Sequence, residues 1–188
     1  MRLLAPILLV AAVPVLGLMT LRHDRETNEH RLGKVASEIA GRNVEVHCPG
    51  TVKKFVDISP HAGSVYFDGY GRPADYTELN DPTCSTLDDF AEGETDRSDA
   101  LRVARALHVL AHESIHLSGI RDEAQADCFG FQKTAFVAEE LGASPNEARR
   151  YAELTVIART QSAPSEYRSP ECHDGGALDL NPDSSVWP

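Results

Sequence analysis

The chain is short of positive charge: 18 Lys and Arg stand against 29 Asp and Glu in 188 residues, a formal net charge of -11. Phosphate binding needs basic side chains gathered on one face, so this balance excludes a nucleic-acid partner. No CxxC pair occurs among Cys48, Cys84, Cys128 and Cys172, which excludes a cysteine-only zinc knuckle and a thioredoxin-type redox site. There is no internal repeat and no low-complexity tract, so the chain is neither a solenoid nor a linker. Methionine is confined to Met1 and Met19, and residues Leu3 to Leu21 carry no charge at all.

That uncharged run marks residues 1–22 as a membrane anchor or signal peptide. It approaches the length of about 20 residues that spans a bilayer and exceeds the apolar core of about 7 to 15 residues in a cleaved signal. No small-x-small cleavage site precedes Arg22, so an uncleaved anchor with a single N-terminal pass is the preferred reading, and secretion after cleavage the other. An even number of cysteines behind an export signal predicts two disulfides on the extracytoplasmic side. Pairing Cys48 with Cys84 and Cys128 with Cys172 is expected, because each bond then ties neighbouring parts of the sequence.

Residues 23–42 read as a stalk or first helix, with Leu32, Val35 and Ile39 at helical spacing before Gly41. Residues 43 to 90 read as a small sheet with long loops, its strands in "NVEVHC", "FVDIS" and "SVYF". The last could be an internal strand or an edge that pairs with an extended peptide. Ser98 is positioned to cap a helix whose apolar stripe is Leu101, Ala104, Leu107, Ala111 and Ile115, ending near Gly119. A second helix runs from near Asp122 to Gly142. A third opens with Ser144 as cap, Pro145 in the first turn and Glu147 reaching back. From Gln161 onward the chain is rich in Pro, Gly and Ser, and reads as an irregular tail pinned through Cys172.

The stretch "LAHESIHLSGIRDEAQADC", Leu110 to Cys128, carries the chemistry. On a helix, His112 and His116 lie one above the other on one face, so both imidazoles reach one ion. Glu113 is turned by about 100° from His112 and stands beside that ion, where it can touch a coordinated water. Catalytic zinc takes three protein ligands, so the chain must return a further donor. Gly119 can turn it in a left-handed conformation, and Asp122 and Glu123 are the residues delivered next.

"HESIH" resembles the HExxH helix of the zincin metallopeptidases. The resemblance covers His112 to Asp127 and implies Zn2+ at His112 and His116, with Glu113 as catalytic base. "HESIHLSGIRD" is similar to the metzincin spacing and would make Asp122 the third ligand, but metzincins carry a methionine turn that this chain lacks. "EAQAD" is similar to the ExxAD segment of gluzincins, and implies Glu123 as the ligand with Asp127 hydrogen-bonded to a ligand histidine. Glu123 is preferred. The fold implied is α+β: a mainly helical zincin-like domain over residues 43–188 with a small antiparallel sheet, preceded by an N-terminal hydrophobic helix.

Around this motif, His108 extends the histidine row and is read as structural. Tyr167 and His173 in the tail are candidates to stabilise an oxyanion, while Phe129, Phe131 and Phe136 are read as core. The expected function is an extracytoplasmic zinc metallopeptidase acting on a peptide or protein substrate and tethered to the membrane by its N-terminal segment. The alternative is a membrane-tethered, disulfide-stabilised binding domain whose zinc site is structural or inactive.

Overall fold

A computed structural model of the chain describes residues 26–49, 61–162, 164–184 and 186–188. The proposed anchor over residues 1–22 and the strand read in "FVDIS" lie outside these. No helix of the described residues is long and apolar enough to cross a membrane.

Helix α1 covers 26–40, and its expected stripe is real: Leu32, Val35 and Ala36 are buried in the main core and Ile39 packs against it. Ser37 joins this helix to the sheet, its Oγ accepting from Val44 N at 3.0 Å. Strand β1, Glu45–His47, buries Val46 and exposes Glu45, the alternation expected of "NVEVHC". The sheet runs in the order β1-β3-β2, with β2 at Gly63–Ser64 and β3 at Tyr76–Leu79. β1 lies parallel to β3, and β2 antiparallel to it. The sheet is therefore mixed, not the antiparallel one expected. A parallel pair needs a long connection, which the span from His47 to Tyr76 provides.

Helix α2, Asp81–Ala91, falls where only sheet and loop were expected. Its start is written locally: the Asn80 side chain accepts from Thr83 N at 3.0 Å, and Pro82 sits in the first turn. Buried Leu87 and Cys84 hold it to the core.

Helix α3, Ala100–Leu117, follows a 3-10 turn at Arg97–Asp99. The expected cap at Ser98 does not form, because Ser98 lies inside that turn with its own N–H held by Asp96 Oδ1 at 2.9 Å. Four residues of the expected stripe, Ala104, Leu107, Ala111 and Ile115, are buried together with Val103 and Leu110, while Leu101 is 50% exposed. In its last turns α3 is buried all round, because α4, Glu123–Glu140, and α5, Pro145–Ser162, pack along it. The start of α5 is as expected, with Glu147 Oε2 accepting from Ser144 Oγ at 2.6 Å and Ser144 N at 3.1 Å.

Both expected disulfides are present, Cys48–Cys84 tying β1 to α2 and Cys128–Cys172 tying α4 to the tail. They fit an oxidising, extracytoplasmic compartment. Gln132 adds to the second link by donating to Leu178 O at 2.8 Å and accepting from Leu180 N at 2.7 Å.

Candidate metal centre

The last two turns of α3 aim His112 and His116 at one point, with their Nε2 atoms 2.9 Å apart. Glu123 Oε2, from the first residue of α4, lies 3.2 Å from His112 Nε2 and 3.3 Å from His116 Nε2. Neighbouring ligand atoms on a tetrahedral ion with bonds of about 2.0–2.1 Å lie roughly 3.3 Å apart, so this triangle matches one face of such a shell.

The turn between the helices explains the match. Gly119 takes φ 105°, a left-handed value costly for any side chain, and brings the chain back beside α3. Ile120 O then receives the Nδ1–H of His116 at 2.6 Å. That bond leaves the His116 Nε2 lone pair facing the triangle. Asp122, the rival ligand, is spent on the helix start: it is the exposed N-cap of α4 and accepts from Gln125 N at 2.8 Å.

Behind His112 lies a second cluster. Asp127 accepts from His108 Nε2 at 2.9 Å and from Arg159 Nη2 at 2.7 Å, and stands 3.6 Å from His112 Nδ1. It is therefore bonded to the histidine below the expected pair, and its approach to His112 is longer than a hydrogen bond. Gly130 makes the close fit possible, since a Cβ there would come within 3.0 Å of the His108 ring and 3.3 Å of His112 Cα.

Burial lowers the His112 pKa and favours the neutral imidazole that binds metals. The hydrogen bond from His112, ahead of its desolvation, keeps Glu123 below the usual carboxylate range. Desolvation pushes Asp127 upward, but the His108 hydrogen bond and the Arg159 contact outweigh it and leave it lowered.

Glu113 is almost wholly buried, and burial, aided by Glu123, pushes its pKa up to about 8. Its Oε2 has no hydrogen-bond partner among the described residues. β2 confines the group: a Cβ on Gly63 would stand 2.8 Å from Glu113 Oε1 and 2.7 Å from its Cγ.

Of the two tail candidates, only Tyr167 reaches the site. Its ring lies 5.9 Å from that of His112, under the Arg159 guanidinium at 4.9 Å. Its pKa is raised, first by burial and then by Glu123. His173 is exposed, with Nδ1 2.8 Å from Asp174 O. Phe131 is buried and stacks on His108 at 4.8 Å, Phe136 packs against the core and Phe129 is half-buried, in keeping with a packing role.

Phe67 was legible only as part of a strand; its ring meets that of His116 edge-on at 6.1 Å. Arg159 was not legible as a partner of Asp127, since their separation in sequence hides it.

The residues His112, His116 and Glu123 together can hold a metal ion, as can His108, His112 and Asp127 by distance alone. The presence of Arg159 against Asp127 disfavours a cation in the second group. Compared with protein-family models, with curated proteins and with solved structures, the chain matches none.

Proposed function

We propose that the chain is an extracytoplasmic zinc metallopeptidase, held at the membrane by residues 1–22 or released from it, that hydrolyses peptide bonds. The observation carrying this reading is the donor triangle of His112, His116 and Glu123 with Glu113 beside it, whose Oε2 has no hydrogen-bond partner among the described residues. Two imidazoles and one carboxylate suit zinc, and three protein ligands leave one position open.

Bound there, zinc would supply Lewis-acid polarisation of the scissile carbonyl and activation of a water. Glu113 is the group that takes the proton, holds it at Oε2 and returns it to the departing amine. Tyr167 brings a phenol to the His112 side, where it can donate to the carbonyl oxygen as charge develops. Of "SVYF" only Ser64 lies in β2, and Phe67 makes an isolated bridge to Pro73, but β2 ends the sheet and a peptide paired along it would pass Glu113 at Gly63.

Metal analysis combined with a peptide-library digest tests the reading on wild type and Glu113→Gln. Both proteins are expected to carry one zinc per chain, with turnover falling about a thousandfold in the variant. Wild type without zinc, or a variant that cuts as well as wild type, would overturn it.

A further inference from the structure

In this acidic chain, Arg42, Arg72, Arg102 and Arg159 each meet a carboxylate. Arg121 meets none among the described residues. It is exposed, sits between the metal-binding turn and α4, and lays its guanidinium over the Phe67 ring at 5.4 Å. Phe67 in turn touches the His116 ring.

We infer that Arg121 is a specificity residue that binds a carboxylate of the substrate close to the scissile bond. The inference rests on the metallopeptidase reading and names the substrate chemistry of that site.

Three observations carry it. Arg121 holds its guanidinium 5.4 Å from the Phe67 ring and makes no ion pair among the described residues, so its N–H groups can meet a bidentate carboxylate. The loop that carries Phe67 is also held by its own bonds. Asp68 Oδ1 accepts from Tyr70 N and Arg72 N, both at 2.9 Å, and Phe67 pairs across the loop with Pro73. Glycine at 71 keeps the space open, since a Cβ there would stand 3.2 Å from Arg121 Nη1.

Reach agrees as well. The guanidinium carbon and the His116 ring lie 5.4 Å and 6.1 Å from the same Phe67 ring, which puts them at most about 11.5 Å apart, and an extended peptide advances about 3.3 Å per residue. A carboxylate within about three residues of the cut therefore falls within the span of Arg121. The neighbouring Asp122 makes no ion pair with it among the described residues, its Oδ1 accepting instead from Gln125 N.

The carboxylate could be an Asp or Glu side chain or the free C-terminus, and paired peptides separate the two. Acetylated heptapeptide amides differing only in Glu or Gln at one position form the first set. Neutral heptapeptides ending in acid or amide form the second. Each is titrated calorimetrically into full-length zinc-loaded Glu113→Gln protein, with Arg121 intact or changed to Gln or Lys. One acidic form is expected to bind about tenfold more tightly, with the preference lost in Arg121→Gln and reduced in Arg121→Lys. The set showing the preference identifies the source. Equal preference with and without Arg121, or none in either, overturns the inference.

Cleavage by the otherwise wild-type protein is scored separately. Arg121-dependent binding without cleavage would sink the peptidase reading and leave Arg121 as a carboxylate-binding residue alone, whereas cleavage without carboxylate preference would overturn the Arg121 inference and keep the peptidase reading.

Discussion

Helices α3 and α4 meet along two histidine–carboxylate clusters that share His112. In the inner one, Asp127 is 1% exposed and already holds His108 and Arg159. In the outer one, the Glu123 side chain is 40% exposed and is met by two imidazoles and no cation. Similar residues, one helical turn apart, serve different ends. A protein cation closes the inner cluster into a structural brace, whereas no protein cation meets the outer one among the described residues, and it can hold a metal ion.

Adding zinc sharpens this contrast most. At a thousandfold excess over Kd, zinc should stabilise the wild-type fold by about 4 kcal/mol, read as a rise in unfolding temperature. Glu123→Ala should lose most of that rise, whereas Asp127→Ala should keep most of it, because Asp127 bonds His108 and Arg159 and neither proposed ligand histidine. Full stabilisation of Glu123→Ala would mean that the two clusters had been assigned the wrong way round.

In metal-free protein the order reverses. Asp127→Ala leaves His108 and Arg159 without their carboxylate and should cost about 3 kcal/mol in denaturant unfolding. The half-exposed Glu123 should cost less than about 1 kcal/mol when changed to alanine. Equal losses would break the comparison.

Gly130→Ala presses a methyl on His108 and His112 and should cost about 2 kcal/mol. Asp122→Ala should be mildest, at about 1 kcal/mol for the lost helix cap, with zinc uptake unchanged. Loss of zinc in Asp122→Ala would return that residue to the ligand set.

How far these features could be read from sequence depends on how local their causes are. The His112–His116 pair, the turn at Gly119 and the Ser144 cap each arise within one or two helical turns, and all were legible. So was the disulfide pairing, since each bond links neighbouring segments. The strand β3 was not, for "YTEL" is short and is fixed by its two partners. Helix α2 was overlooked although Asn80, Asp81 and Pro82 spell its start. Ser98 misled because a 3-10 turn used its N–H before the α-helix began. Asp122 and Glu123 could be ranked only by resemblance, and the hydrogen bond to Gln125 N is what separates them physically.

The contact between Gly63 and Glu113 also limits how this molecule can diversify. Any side chain at 63, even a methyl group, would displace the carboxyl from where it now rests. On the function proposed above, Gly63→Ala would thus keep its three metal donors and lose turnover, two forms separated by one carbon atom.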